Sequence, residues 1–351
     1  MSMHTYKVED LRRLCVAVLT LEGMEAVDAT IVADALLRAD LESASSHGIS
    51  RLPLYVSLLK EGRINARPNI TTVEQGPVLK VDGDHGAGQV VATRALEQGI
   101  QKAKATGLVG IAIRRSNHFG AAAYYCQKAC DANMILIAMT NSPPGIPPWG
   151  GARPFFGTNP IAFGFPVQDG PPVIVDMSTS VVARGKIILA AKKGEQIPPG
   201  WAINQDGVET TNPEEALKGA MLPIAGAKGY ALAMAVEILS GILTGAAFGP
   251  HVQNYFQPNL PPSNVGHFFI LLDIQQWMPL NMYFDRMRQL IDELKNVPRA
   301  KGFDAILYPG ERRHQSYVTQ LRRGVALPEN VVAELNKLAD QYGVKRLKSC
   351  G

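Results

Sequence analysis

The sequence has little cysteine, and its few cysteines form no recognisable ligand pattern. They are Cys15, Cys126, Cys130 and Cys350 among 351 residues, and none has the CxxC or Cys/His spacing of a zinc site. We therefore predict no metal site. Reduced thiols in the cytoplasm are the simplest interpretation.

Excess charge and long apolar runs are scarce as well. Charged residues make up 19% of the chain, and the net charge of +4 is spread along it, so no nucleic-acid partner is predicted. The first residues, MSMHTYKVEDLRRL, contain no apolar signal core. The most apolar stretch, residues 229–249, carries Glu237 in its middle, and it predicts a buried helix rather than a membrane span.

Several common catalytic motifs are missing. No GxGxxG follows a strand with an acidic residue at the expected distance, and no GxxxxGK[ST] is present, so neither a Rossmann fingerprint nor a P-loop is indicated. The absence of HExxH and GxSxG argues against zinc and serine hydrolases. The stretch GDHGAGQ, residues 83–89, is interpreted as a turn.

What the sequence does contain is a β-rich middle between helical ends. Short runs such as VLKVDG, VGIAIRR, MILIAMTN, PIAFGFP, PVIVDMS and HFFILLDI predict strands, and helical apolar patterns occur between them and toward both termini. We predict an α/β fold with two domains. A mixed-sheet domain covers residues 71–284, and a discontinuous helical domain combines residues 1–70 and 285–351.

A histidine precedes the third helical pattern, in SSHGISRLPLYV. Pro53 suits a first turn, so the helix is expected to start near Ser50 with His47 at its entrance. The helix dipole would there lower the pKa of the ring, and Arg51 would share its face of the helix. The alternative interpretation is a partly buried structural histidine beside a capping serine.

A second histidine follows a predicted strand in RRSNHFGAAAYY. We expect the strand to end at Arg115 and His118 to open a helix beside Gly120, at the kind of strand-to-helix turn where α/β proteins build ligand sites. A satisfied turn histidine is the alternative.

Three further segments carry candidate binding groups. Residues 140–166 are rich in glycine and proline and could line a cofactor cleft, because long irregular loops are usually functional. The run VDMSTSVVARGKI ends a strand at Asp176, and AGAKGYALAM places Lys228 at a helix start suited to a phosphate or carboxylate. The alternatives are a plain connecting loop, cap residues at Asp176 and Ser178, and a solvated lysine.

Taken together, these segments resemble one family. SSHGISRLPLY, SNHFGAAAYY, GGARPFFGTNPIAFGFP, VDMSTSVVARGKI, MLPIAGAKGYALAMAVEILSGILTGAAFG and YPGERR are similar, in order and spacing, to the malate/L-lactate dehydrogenase family outside the Rossmann class. That family includes sulfolactate and ureidoglycolate dehydrogenases, a 2,3-diketo-gulonate reductase and piperideine-2-carboxylate reductases. The resemblance covers nearly the whole chain.

The resemblance implies a homodimer with an atypical NAD(P)-binding fold. It implies hydride transfer between nicotinamide and a carbon next to a carboxylate, with a small carboxylate as substrate. The residues that it implies for catalysis are Ser46, His47, Arg51 and His118, with Arg51 and Thr158 at the substrate. Those implied for NAD or NADP are His118, Phe119, Gly120, Ser142, Asp176, Met177, Ser178, Lys228, Pro309, Gly310 and Glu311.

Some questions stay open within the resemblance. We assign the proton to His47, because a serine precedes it and a carboxylate-binding arginine follows, whereas His118 would polarise the reacting group or pack by the nicotinamide. A cyclic imine or diketo-sugar-acid reductase and a non-catalytic dinucleotide-binding relative are the alternatives. Relatives often have an aspartate at the position of Asn204, and nothing in the sequence separates NAD from NADP.

Overall fold

The molecule contains twelve strands and eleven α-helices within residues 3–350, which the computed structural model describes. The strands are β1 (Met3–Tyr6), β2 (Thr71–Gln75), β3 (Val78–Asp82), β4 (Leu108–Ser116), β5 (Met134–Thr140), β6 (Ile161–Phe165), β7 (Val173–Met177), β8 (Ala202–Ile203), β9 (Glu209–Thr210), β10 (Ala220–Met221), β11 (Val265–Asp273) and β12 (Val325–Pro328). The helices are α1 (Val8–Leu21), α2 (Ala26–Leu41), α3 (Leu52–Lys60), α4 (Gly88–Thr106), α5 (Ala123–Asp131), α6 (Arg184–Lys193), α7 (Pro213–Lys218), α8 (Ala227–Glu237), α9 (Leu280–Asn296), α10 (Glu311–Arg323) and α11 (Glu329–Gln341).

Seven strands form a mixed central sheet in the order β2-β3-β4-β11-β5-β6-β7. Strand β3 is parallel to β4, whereas β11 is antiparallel to both β4 and β5, and β6 is antiparallel to both β5 and β7. The carboxyl ends of β3, β4, β5 and β7 therefore meet at one edge of the sheet. We call this edge the site edge.

Alternating side chains bury both faces of the central strands. On one face, Ile111, Leu136 and Phe269 join a core with α4 and α5, and on the other face Met139 and Ile161 pack under α8. Strands buried on two sides have few polar positions. This explains why runs such as MILIAMTN could be identified as strands from their residues, and all six predicted runs are confirmed.

The two chain ends share a second core. Residues of α1, α2 and α3 pack with α11, for example Leu11, Leu36, Leu52 and Leu335, which are all fully buried. Strands β1 and β12 pair antiparallel and tie the ends together. A mixed-sheet α/β fold with a helical layer from both ends is thus confirmed, while the domain boundaries at residues 70 and 285 stay predictions.

Two expectations about helices are wrong. His118 does not open a helix, because Gly120 has a φ of +82° and α5 begins only at Ala123. The apolar stretch 229–249 is not one buried helix. It comprises most of α8, a π-turn over Ile238–Ile242 and an irregular segment after it, and only one side of the helical part packs on the sheet.

No helix within residues 3–350 has both the length and the apolar character needed to cross a membrane.

Candidate active site

The polar candidates collect where strands reach the site edge. Strand β4 ends just before His118, β5 just before Ser142 and β7 just before Ser178. Because parallel strands end at the same edge, residues far apart in sequence come together there. The site edge is therefore a junction of loops on a rigid sheet.

His47 belongs to a short 3₁₀ turn, Ser45–His47, and not to the entrance of α3 as expected. An extended Gly48 interrupts the chain, a second 3₁₀ turn follows, and the α-helix starts at Leu52. The buried carboxylate of Asp40 accepts a hydrogen bond from the Ile49 N–H at 2.7 Å. A Cβ at Gly48 would lie 1.8 Å from that carboxylate, so only glycine fits there.

The pKa of His47 is lowered, as expected, but for a different reason. Burial is the largest cause, and the charges of Arg51 and Arg313 lower the pKa further, whereas the nearby carboxylate of Asp176 raises it. Ser46 places its Oγ 2.9 Å from Nδ1 of the ring. This contact leaves Nε2 as the nitrogen free to meet a substrate.

His118 is fixed by a chain of hydrogen bonds behind the ring. Gln89 Nε2 donates to the Tyr55 hydroxyl at 2.7 Å, so the hydroxyl proton points to Nδ1 of His118, also at 2.7 Å. The preceding Asn117 is buried and donates through Nδ2 to the carbonyl groups of residues 85 and 86. A neutral His118 accordingly carries its proton on Nε2.

The two histidines stack on each other. Their ring centroids are 5.6 Å apart and their planes differ by 17°. Burial holds the pKa of His118 well below its ordinary value, and the charges of His47 and Arg51 lower it further. Since Asp176 favours the charged form of His47 alone, the structure separates the two rings electrostatically.

Arg51 stands beside this pair with a free end. Its Nε donates to the Ser46 carbonyl at 2.7 Å, and its guanidinium lies over the Phe256 ring at 5.2 Å. Within residues 3–350 its two terminal nitrogens have no hydrogen-bond or ion-pair partner. A guanidinium held in this way offers a fork suited to a carboxylate.

The expected substrate residue Thr158 lies in the long loop 141–160. Its N–H donates to Ser142 Oγ at 3.1 Å, and its carbonyl accepts from both the N–H and the hydroxyl of Thr179. A Cβ at Gly157 would lie 2.3 Å from the Ser142 carbonyl. Thr158 and Ser142 are thus brought together, and this part of the loop is tightly packed.

Phe119 and Gly120 shape the path of the chain after His118. Phe119 is buried and stacks on His267 with centroids 4.5 Å apart. His267 bonds to Thr140 and Ser116 through its two nitrogens, and burial lowers its pKa to about 3. Phe119 is therefore part of the wall behind the site rather than an open contact surface.

Asp176 has several partners. Its Oδ2 accepts from the N–H of Ala123 at the start of α5 and lies 3.7 Å from Arg313, which also binds the buried Glu42. Asp176 thus caps a helix, as its alternative interpretation held, and also faces His47.

Two expected cofactor residues follow Asp176 at the end of β7. The side chain of Met177 packs partly into the apolar cluster below α8. Ser178 Oγ bonds to Ser180.

Two helix starts lie next to β7. The Ile224 N–H donates a hydrogen bond to the carbonyl of Thr179, the residue after Ser178. This bond ties the start of α8 to the end of β7. Lys228 is exposed in the first turn of α8. No side chain caps α8. At the other end of β7, the Ile174 N–H donates a hydrogen bond to the Pro309 carbonyl. Gly310, with a φ of +100°, directly precedes α10.

The carboxylate of Glu311 is paired with groups of α9 and of its own turn. It binds Lys295 and accepts the Tyr308 N–H.

A comparison with known proteins identifies the family. The family model described as malate/L-lactate dehydrogenase matches residues 6–336. The chain belongs to the malate/L-lactate dehydrogenase family. It is therefore an NAD(P)-dependent oxidoreductase that acts on 2-hydroxy acids.

Three relatives illustrate the range of the family. A malate dehydrogenase of Pyrococcus abyssi is 42% identical over 349 residues, covering 97% of this chain and 95% of the relative. The sulfolactate dehydrogenase structure from Methanocaldococcus jannaschii has a TM-score of 0.91 at 38% identity and covers 97% of this chain and 98% of that one. The delta1-piperideine-2-carboxylate reductase of Pseudomonas syringae pvar. tomato has a TM-score of 0.84 at 29% identity, covering 95% and 99%.

Asn204 of this dehydrogenase has a structural use that the sequence did not reveal. Its Oδ1 accepts the N–H groups of Asp206 and Val208, both at 3.0 Å, in the turn between β8 and β9. An aspartate oxygen could accept the same two bonds. Either residue at this position can therefore support the turn.

Several residues of the dehydrogenase site were missed by sequence reasoning. Tyr55 could have been found, because it follows Arg51 by four residues and shares its helix face. Asp40, Gln89, Tyr255 and Arg313 carry no such local signal. Within residues 3–350, no cluster of three or more His, Cys, Asp or Glu side chains is arranged to hold a metal ion.

Proposed function

We propose that the site interconverts 2-hydroxy and 2-oxo carboxylates of the malate or L-lactate type, with His47 as the proton donor. The observation that carries this proposal is the electrostatic contrast between the stacked rings. Asp176 supports a charged His47, whereas the charges that act on His118, those of His47, Arg51 and His267, all lower its pKa. A ring that can be charged suits proton donation, and a ring that stays neutral suits polarising the reacting oxygen.

Arg51 is proposed to bind the carboxylate of the substrate. Its Nε is occupied by the Ser46 carbonyl, and its terminal nitrogens are unpaired among the described residues. Ser46 contacts both His47 and Arg51, so one residue sets the relative position of the proton donor and the anchor. This arrangement favours substrates whose reacting carbon is next to a carboxylate.

The residues around β7 fit a dinucleotide. The start of α8 has no capping side chain and exposes Lys228, which suits a pyrophosphate. We assign the contacts with NAD or NADP to Ser142, Ser178, Lys228 and the turn at residues 309–311, with His118 and Asp176 near the reacting end, and we place Thr158, which bonds to Ser142, at the substrate. When bound, the nicotinamide supplies or accepts the hydride.

A homodimer is proposed on the basis of an exposed apolar surface. Met234, Ile238, Ile242 and Leu243 are 43%, 45%, 53% and 59% exposed along α8 and the π-turn. Beside Leu243, a groove of about 470 Å³ opens over β2, β3 and β4, lined by Val73, Val78 and Phe268 among others. Large exposed apolar patches mark interaction sites, and a second copy is the simplest cover.

The dimer can be tested by light scattering. Ile242→Asp should give a monomer, whereas the equally exposed Leu21→Asp on α1 should remain dimeric. A monomeric wild-type protein would contradict the proposal. A cytoplasmic location also stays a prediction, supported by the four free thiols.

The experiment that tests the function is a substrate panel. Pyruvate, oxaloacetate and piperideine-2-carboxylate are each assayed with NADH and NADPH. We expect turnover of a 2-oxo acid, and fluorescence titration with each reduced nucleotide decides between NAD and NADP. Reduction of the cyclic imine alone would favour the imine reductase instead, which the structural similarity to the Pseudomonas reductase makes the second candidate.

A further inference from the structure

An irregular segment before β11 brings two aromatic rings to the site. The Tyr255 ring lies 5.3 Å from the His118 ring, and the Phe256 ring lies 5.2 Å from the guanidinium carbon of Arg51. The two aromatic rings also contact each other, with centroids 4.6 Å apart. One dipeptide thus touches both the histidine pair and the carboxylate anchor.

A buried arginine fixes this dipeptide. Arg63 is only 2% exposed, and it donates to the carbonyl groups of Asn254 at 2.9 Å and Gln257 at 2.6 Å. These two carbonyl groups flank Tyr255 and Phe256. Hydrogen bonds from a charged donor are strong, and a buried charge requires them. The hydrogen bonds from Arg63 therefore hold the segment in place, although it has no regular secondary structure.

The hydroxyl of Tyr255 is unpartnered. Within residues 3–350 it forms no hydrogen bond, whereas the Tyr55 hydroxyl bonds to both His118 and Gln89. Tyr255 is half-buried, so a hydroxyl without a protein partner is available there to bind a ligand. Burial raises the pKa of Tyr255 and the charge of Arg51 lowers it. Geometrically, the Tyr255 ring is linked to the guanidinium through the Phe256 ring, which contacts both.

We propose that Tyr255 is a substrate-binding residue whose hydroxyl donates a hydrogen bond to the same carboxylate that Arg51 binds. Phe256, whose ring packs on that of Tyr255, supports the guanidinium from one side. The inference rests on the proposed function, since it assigns a second group to the recognition of a 2-oxo acid. It explains why a buried arginine is used to hold an otherwise irregular segment.

The test is Tyr255→Phe, which keeps the ring against His118 and removes only the hydroxyl. Loss of a hydrogen bond to a charged group should raise KM for the 2-oxo acid by roughly 10- to 100-fold. Because the ring packing is retained, kcat should change by less than about threefold and the affinity for the nucleotide should be unchanged. Tyr342→Phe is the matched control, since its hydroxyl binds Glu22 in the helical layer.

Binding without turnover separates this inference from the function itself. Oxamate, an unreactive analogue of a 2-oxo acid, is titrated in the presence of reduced nucleotide. Weaker oxamate binding by Tyr255→Phe, in proportion to the rise in KM, supports the inference. An active wild-type enzyme whose Tyr255→Phe variant keeps its KM and oxamate affinity overturns the inference alone, whereas a wild-type protein that reduces no 2-oxo acid overturns the proposed function first.

Discussion

Asp40 and Gly48 form a close contact beneath the active-site turn, since a Cβ on Gly48 would overlap the Asp40 carboxylate at 1.8 Å. Burial raises the pKa of Asp40 to about 7, although the hydrogen bond from Ile49 lowers it. A carboxyl group that is about half protonated near neutral pH therefore supports the turn that carries His47.

Asp40→Asn should make the free energy of unfolding less dependent on pH. The folded state holds a proton on Asp40 up to about pH 7, whereas the unfolded chain releases it near pH 4. The contribution of Asp40 to the free energy of unfolding is thus fully present below pH 4 and is lost as pH rises toward 7. The asparagine oxygen can still accept the bond from Ile49.

Urea unfolding at pH 5 and pH 7 checks this prediction. Between pH 5 and pH 7, the free energy of unfolding of the variant should rise relative to that of wild type by up to about 2–3 kcal/mol, since one pKa unit corresponds to about 1.36 kcal/mol. Asp206→Asn, at an exposed turn, serves as the control. A constant difference between Asp40→Asn and wild type across this range would show that Asp40 does not titrate there.

Arg51→Lys should weaken substrate binding. Lysine keeps the positive charge but loses the fork and the Nε bond to Ser46. We expect KM for the 2-oxo acid to rise roughly 10- to 100-fold. Steady-state kinetics provide the measurement, and Arg346→Lys, near the C-terminus, is the control. An unchanged KM for every active 2-oxo acid would remove Arg51 from the site.

Lys228→Ala should weaken binding of the dinucleotide in the absence of substrate. The loss of one charge at an uncapped helix start should raise the dissociation constant several-fold, because the helix N–H groups remain. Nicotinamide fluorescence measures the affinity directly, and Lys337→Ala on α11 controls for removing an exposed lysine. Equal affinity of Lys228→Ala and wild type for both NADH and NADPH would refute the assignment.

The sheet was predictable because its strands carry their signal locally. Runs buried on both faces, such as MILIAMTN, are continuously apolar. Of the turn predicted at residues 83–89, residues 83–87 lie outside regular helix, whereas Gly88 and Gln89 already belong to α4. The pairing of β1 with β12 joins residues more than 300 positions apart, and short strands with mixed polarity leave no periodic signal.

The site was only partly predictable for the same reason. His47, Arg51 and His118 stand in motifs, but the groups that tune them come from elsewhere: Asp40 from α2, Gln89 from α4 and Tyr255 from the segment before β11. The expected helix start at His118 failed because the backbone of Gly120 is left-handed. The apolar stretch after Lys228 predicted burial, and the folded chain alone covers only one side of it.

The pH dependence of two matched variants tests the central claim, that His47 moves the proton. Reduction needs a charged His47 and oxidation needs a neutral one. With rising pH, kcat/KM should therefore fall for reduction and rise for oxidation. Both changes should follow one ionisation, whose pKa in the free enzyme lies below the ordinary histidine value. His47→Asn should abolish this dependence and lower kcat by about 10²–10⁴-fold while nucleotide affinity is kept. His118→Asn should be slower but keep the dependence, because the His118 ring stays neutral. If His118→Asn loses the pH-dependent step and His47→Asn retains it, the two roles are reversed and His47 only positions the substrate.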